Sequence, residues 1–480
     1  MNSNSNASPE QAIDRLLIKG GQLITMVPGT VEQTGDILVE NGRIARIGGT
    51  FEATGARVID ATGMIVLPGF VDTHRHVWQT QLRTVASDWS LFDYLARIRL
   101  GYSRFYSPED AYIGNLVGAL EALNAGITTV VDHCHIINSP QHADRAVQGL
   151  KDAGIRAIFC YGLFANPSVA NPDAWISGPE WRIDDLQRVR QDLFSDDEAN
   201  VTFGVAPSEA EAVPFEVVAH EIELARSLGA KRISYHVAMG AYDRGSRVVE
   251  RLGDAGLLGP DLLFVHGAAL TDRELDLLRD CGAGLCATPE TEMQMGMGFP
   301  VAFRALRSGV NASLGIDIVS NYTGEMFSQM RLALQSARAL ENSRYQEAKV
   351  APRRITPLTR EALALATRGG AAASGLSHSI GTLESGKKAD IVMIRTDSIH
   401  MCPSTDPIGA VVLNASVSDV DTVLVGGKVV KQGGILTCVN WSELANRLRL
   451  SASRIHHEFA TLDIRQLESA FEPFLPLAEL

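Results

Sequence analysis

The chain has 480 residues, with 43 basic and 56 acidic side chains and a net charge of −13. Hydrophobic residues make up 45% and charged residues 21%, the composition of a folded globular protein and not of a disordered one. No apolar run approaches the roughly 20 residues of a membrane span, and the acidic balance lacks the basic footprint of a nucleic-acid binder. The expected location is cytoplasmic: Met1 to Pro9 is polar and has no apolar signal core. Six cysteines (Cys134, Cys160, Cys281, Cys286, Cys402 and Cys438) form no C-x-x-C pair and read as reduced thiols.

Residues 1–11 read as a disordered tail. Residues 12–64 read as short strands, with Gly20-Gly21 and Asn41-Gly42 as hairpin signals between apolar runs. The pattern changes at Ile65. From 65 to 374, eight short apolar runs alternate with longer helical patterns; they end at Asp72, Asp132, Gly162, Pro207, His236, His266, Thr288 and Asp317. Strands alternating with helices imply a parallel sheet, and eight such units imply an α/β fold of the closed (β/α)8 barrel type. Residues 375–436 return to hairpin-like strands, which suggests one small β-domain formed from both chain ends. Residues 437–480 read as a helical tail ended by Pro473 and Pro476.

The C-terminal rim of such a barrel is where its active site lies. Strand one ends in Asp72-Thr73-His74-Arg75-His76, strand five in His236, strand six in His266 and strand eight in Asp317. Histidines at i and i+2 of a strand share a side, so His74 and His76 enter the barrel mouth together. Four imidazoles and a carboxylate converging on one point suit zinc, iron(II) or manganese. A bound divalent ion lowers the pKa of its water toward about 7, and Asp317 is positioned to accept that water's proton.

PGFVDTHRH, HVAMG, FVHG and SLGID, with the closing GTLESGKKADIVMI, resemble the amidohydrolase superfamily, and within it the cytosine-deaminase-like and triazine-hydrolase branch. The resemblance runs from about Leu16 to Leu436. It implies a distorted barrel plus a split β-sandwich, and one metal ion held by His74, His76, His236 and Asp317, with His266 beside it as a catalytic group. Zinc is the first expectation, with iron or manganese as alternatives. Binuclear members use a carboxylated lysine at the end of strand four; VTFGVAPSEA has none, so a mononuclear site is expected. Members are commonly homodimers or larger.

One departure matters. Deaminases of this branch carry H-x-x-E after strand five, and here the fourth residue is Met239, which cannot transfer a proton. Candidate substitutes are Glu290, expected to be catalytic or else a carboxylate at a helix N-terminus, and Glu292, His133 and His135. Expected substrate contacts are Gln79, Trp78, His135, Met239 and Glu292, with Trp78 equally readable as a core residue. Met293, Met295 and Met297 could form a soft apolar wall. The reading is a metal-dependent hydrolase of a non-peptide carbon–nitrogen bond in a small nitrogen heterocycle. The alternatives are displacement of a halide or thiol from an activated ring, and a catalytically silent barrel that acts as a binding protein.

Overall fold

The computed structural model describes residues 15–167, 181–437, 439–475 and 477; the expected tail at 1–11 and Cys438 lie outside them. Five strands open the chain: β1 (Arg15–Leu23), β2 (Gln33–Glu40), β3 (Arg43–Ile47), β4 (Arg57–Asp60) and β5 (Met64–Pro68). Asn41-Gly42 turns β2 into β3 with both residues at positive φ (51° and 76°), the conformation that tight hairpins demand. Gly20-Gly21 does not make a turn. It lies inside β1, where the register with β2 shifts between Ile18 and Gly21, so the glycines mark a bulge in a continuous strand.

Eight parallel strands follow in sequential order: β6 (Phe70–Arg75), β7 (Ile127–Cys134), β8 (Arg156–Gly162), β9 (Val201–Ala206), β10 (Ile233–Val237), β11 (Leu262–His266), β12 (Gly284–Ala287) and β13 (Asn311–Leu314). This is the expected barrel. Its first strand starts later than Ile65, because Met64–Pro68 pairs with β1 and with the later strand Ile391–Arg395, and only Phe70 onward pairs with β7. The run IVLPGFVD thus serves two sheets, one on each side of Gly69. The barrel is distorted between β9 and β10, which pair only at Ile233 and Val205.

The first and last strands close the barrel at its rim. The His76 amide donates to the Asp317 carbonyl (2.7 Å), and the Asp317 amide donates to the His74 carbonyl (2.8 Å). Gly315 permits that approach, since a Cβ there would lie 2.8 Å from the His74 carbonyl oxygen. Inside, Val131, Ile158, Cys160, Ala206, Leu263, Val265 and Cys286 fill the barrel below the rim.

Four more strands, β14 (Ile391–Arg395), β15 (Val420–Val425), β16 (Lys428–Gln432) and β17 (Ile435–Leu436), join the N-terminal ones in a single nine-stranded mixed sheet. Its core draws on both chain ends, with Ile18, Ile37, Ile59 and Val66 packed with Ile391 and Leu424. The two bodies are tied by Arg156 of β8, whose guanidinium donates to both oxygens of Asp390 at 2.7 and 2.9 Å. Among the described residues, no helix is long and apolar enough to cross a membrane.

Beyond β17 the chain forms helices at Trp441–Phe459 and Ile464–Phe471. Leu467 and Phe471 of the second pack on Ala96 and Leu100, and Arg97 joins Glu468 at 2.7 Å. This apolar stripe returns the C-terminal segment to the rim of the barrel.

Candidate metal centre and active-site cavity

Period-two geometry turns His74 and His76 into the barrel mouth, while Arg75 between them points outward to Glu121 on the helix Pro108–Asn124. His74 Nε2 lies 3.2 Å and His76 Nε2 3.4 Å from Asp317 Oδ1, and His236 Nε2 lies 3.3 Å from His74 Nε2. Asp317 and His266 both adopt positive φ (68° and 73°), which is uncommon for residues with a Cβ. The surrounding structure holds these two backbones in strained conformations that aim their side chains into the mouth.

Hydrogen bonds fix which nitrogen of His76 and of His236 faces inward, whereas His74 Nδ1 has no partner among the described residues. His76 Nδ1 donates to the His133 carbonyl (2.7 Å), so its Nε2 presents a lone pair. His236 Nδ1 donates to Glu209 Oε1 (2.9 Å), which orients its Nε2 in the same way. Burial, the largest effect, pulls His74 down to about 4 and His76 well below its ordinary value. Neutral imidazoles with converging lone pairs need an electropositive partner. Donor separations of 3.2–3.4 Å match the edges of a tetrahedron with bonds of about 2.1 Å, for which the edge is about 3.4 Å. These donors are of the kind that fits one divalent ion: His74, His76 and His236 form one group within 4.8 Å, and His74, His266 and Asp317 form a second that shares His74. Strand four ends without a lysine, as expected, and offers Glu209 instead.

His266 stands at the same rim. Its Nδ1 contacts Thr288 Oγ1 (3.0 Å) and lies 3.5 Å from Glu292 Oε1. Burial pulls its pKa down, but Glu292 and Asp317 outweigh that and raise it above the ordinary value. Burial also opposes ionisation of Asp317, yet the neighbouring His74 holds that carboxyl well below the usual range.

His76, His236, His266 and Asp317 form the floor of a cavity of about 210 Å3, with His74 fully buried behind them. Its walls are mostly apolar, with Leu91, Leu95, Phe164, Met295, Phe471 and Leu475 among them. His135 and Met239 line it, as expected. Met295 and Met297 form part of its wall, whereas Met293 is exposed.

Four expected site residues are placed elsewhere. Glu290 is not among the described residues lining the cavity; its Oε2 accepts from Gln329 (2.6 Å) and Ser328 (3.3 Å), because it opens the short helix Pro289–Gln294 facing the helix Met326–Glu347. Glu292 is fully buried beside His266, accepts the Thr288 amide (2.8 Å) and is not among the residues lining the cavity. Trp78 is a core residue, edge-on to Tyr106 at 4.7 Å, with its indole N–H donated to His135 Nδ1 (3.1 Å). Gln79 is buried behind the wall and donates to the Tyr94 hydroxyl (2.7 Å).

The site also contains residues that sequence patterns did not expose: Glu209, Glu211, Tyr94, Arg99 and the C-terminal pair Phe471 and Leu475. Only Glu209 carried a signal, since it follows strand four at the rim.

The Amidohydrolase family model matches residues 65–430. The chain belongs to the amidohydrolase family. It is 30% identical over 462 residues to a 5-methylthioadenosine/S-adenosylhomocysteine deaminase of Symbiobacterium thermophilum, covering 93% of this chain and 100% of that protein. It is 28% identical over 431 residues to a 5'-deoxyadenosine deaminase of Methanosarcina mazei, covering 87% of this chain and 93% of that protein. A zinc-bound adenosine deaminase from Xanthomonas campestris superposes with a TM-score of 0.80 at 24% identity, covering 92% of this chain and 98% of that one. Atrazine chlorohydrolase from Arthrobacter aurescens, complexed with zinc, superposes with a TM-score of 0.79 at 20% identity, covering 91% and 100%. These two structures share the fold. With family membership, relatives that are deaminases and histidines placed to hold a metal, this amidohydrolase is an enzyme, a metal-dependent hydrolase of non-peptide carbon–nitrogen bonds, and the silent-barrel alternative is set aside.

Proposed function

We propose that the chain is a mononuclear, zinc-dependent aminohydrolase that replaces an amino group on a small nitrogen heterocycle with oxygen from water. The gathering of His74, His76, His236 and Asp317 at the floor of a mostly apolar cavity carries this reading. Its sequence relatives named as deaminases favour an amine as leaving group. A divalent ion held by the four residues supplies the Lewis acidity that makes water nucleophilic at neutral pH.

The chain supplies the rest. The apolar wall excludes bulk water and seats a flat ring. Asp317, kept as a carboxylate by its imidazole neighbours, accepts the proton of the attacking water. His266, oriented at its Nδ1 by Thr288 and Glu292, stabilises charge developing on the substrate. Met239 leaves the usual proton-transfer position empty; Glu209 and Glu211 are carboxylates of the same lining, and to Glu209, which contacts the His236 ring, we assign return of the proton to the departing amine. A carbon–oxygen bond forms, the carbon–nitrogen bond breaks, and ammonia leaves with that proton.

Met239 also favours a second reading, displacement of a halide or thiolate, because such groups leave without protonation. The reading includes a cytoplasmic homo-oligomer, supported by exposed apolar side chains at Leu340, Val350, Ile355 and Leu358.

The test is a screen of the zinc-loaded protein against aminated and chlorinated purines, pyrimidines and triazines, assayed for ammonia and chloride. Ammonia release is expected, and Asp317→Asn should reduce it by about 10^3-fold or more. Chloride release without ammonia would select the second reading; undiminished turnover in Asp317→Asn would remove the assigned base.

A further inference from the structure

We propose that Arg99 is a substrate-binding residue that selects heterocycles carrying an anionic oxygen. The inference rests on the hydrolase reading and names its substrate class.

Arg99 ends a single π-helical turn, Leu95–Arg99, a local distortion that often marks a functional position. Its side chain lines the cavity although the residue is only 4% exposed. Nη1 donates to the His135 carbonyl (3.3 Å), and the guanidinium lies 5.1 Å from the Phe164 ring centroid. Nη2 has no hydrogen-bond partner, and Arg99 pairs with no carboxylate among the described residues. Burying a guanidinium costs several kcal/mol of desolvation, which one long hydrogen bond and one ring contact offset only in part. Arg75 and Arg182 also keep unpartnered nitrogens, but Arg75 meets Glu121, Arg182 donates to the carbonyls of Gly162 and Ile137, and neither lines the cavity as Arg99 does.

A second donor stands beside it. His135 stacks on His76 with ring centroids 3.9 Å apart, and its Nδ1 accepts the Trp78 indole N–H. Indole is a donor only, so the proton of a neutral His135 sits on Nε2. Because Nδ1 accepts that hydrogen bond it carries no proton, and the ring is the neutral Nε2–H tautomer. The wall thus presents a fixed cation and a neutral N–H donor together. An oxygen anion, either a ring oxygen or a carboxylate substituent, satisfies both; an unsubstituted amine or an alkyl group satisfies neither. Glu209 lines the same cavity and feels the Arg99 charge, but its Oε1 accepts from His236 Nδ1 (2.9 Å), and it makes no hydrogen bond or ion pair with Arg99 among the described residues.

The experiment measures dissociation constants by calorimetry on full-length, zinc-loaded protein, using two matched pairs. Orotate against orotamide tests a carboxylate substituent. Barbiturate, whose ring oxygens carry charge at neutral pH, against uracil tests a ring oxygen. The wild type should bind the anionic member of at least one pair roughly ten- to a hundredfold more tightly; which pair responds identifies the source of the charge. Arg99→Gln should abolish the preference, and Arg99→Lys, which keeps the charge and loses the fork, should retain part of it. No preference in the wild type, no binding of either anion, or a preference that survives in Arg99→Gln overturns the proposal. The readout is binding, so absence of ammonia release in the screen above would count against the hydrolase reading without deciding this one.

Discussion

The floor and the wall of the cavity are built on opposite plans. On the floor, His76, His236 and His266 have their rear nitrogens tied to the His133 carbonyl, to Glu209 and to Thr288, so each ring is set in direction and tautomer before any ligand arrives. The wall is assembled from the turn after β6, the loop after β12 and the C-terminal segment, and is mostly apolar. A floor built on strand ends gives precision to the chemistry. A wall built on connections gives the freedom to change substrate without disturbing it.

This contrast can be broken by experiment. Glu209→Ala should damage the floor most, weakening metal affinity roughly ten- to a hundredfold because His236 loses the partner that aims it. A competition titration against a chelator reads that change; an unaltered affinity would show that His236 is held without Glu209. A wall substitution should behave otherwise. Leu475→Ala should raise KM roughly three- to fivefold with kcat nearly unchanged, since it removes apolar contact that substrate and transition state share. An equal fall in kcat would mean that the C-terminal segment shapes the chemistry itself.

The smallest effect concerns Glu290, which belongs to neither region. Burial, helped by the nearby Glu325 carboxylate, pushes its pKa up to about 7 from an ordinary 4.5. A raised carboxyl favours the folded state in its protonated form, so that contribution is whole below pH 4.5 and is lost as pH rises through 7. Glu290→Gln should match the wild type in stability at pH 4.5 and exceed it by about 1–2 kcal/mol at pH 8. Denaturant melts at the two pH values check this; a constant difference would contradict it.

The same division explains what was legible in the sequence. The proposed ligands were readable because a strand end fixes direction: alternation alone puts His74 and His76 on one side, and barrel closure brings Asp317 to them. Glu290 misled because its position after β12 is a helix start, where 3.6-residue periodicity turns it toward Gln329 and away from the cavity. Trp78 sits one turn past the rim, and its indole N–H found a buried partner in His135. Gly20-Gly21 carries the residues of a hairpin, but the pairing partner continues past it, and only tertiary context distinguishes a bulge from a turn. The return of Phe471 and Leu475 to the cavity depends on packing between segments more than 350 residues apart, for which no local pattern exists.

Metal content of the purified chain, measured together with turnover during chelation and refilling, tests the central claim most directly. The account predicts one tightly held divalent ion per chain, loss of activity in step with its removal, recovery on adding zinc, and a chain without metal when His74 and His236 are both replaced by alanine. Full activity in thoroughly chelated protein, or an unchanged metal content in that double variant, would contradict it.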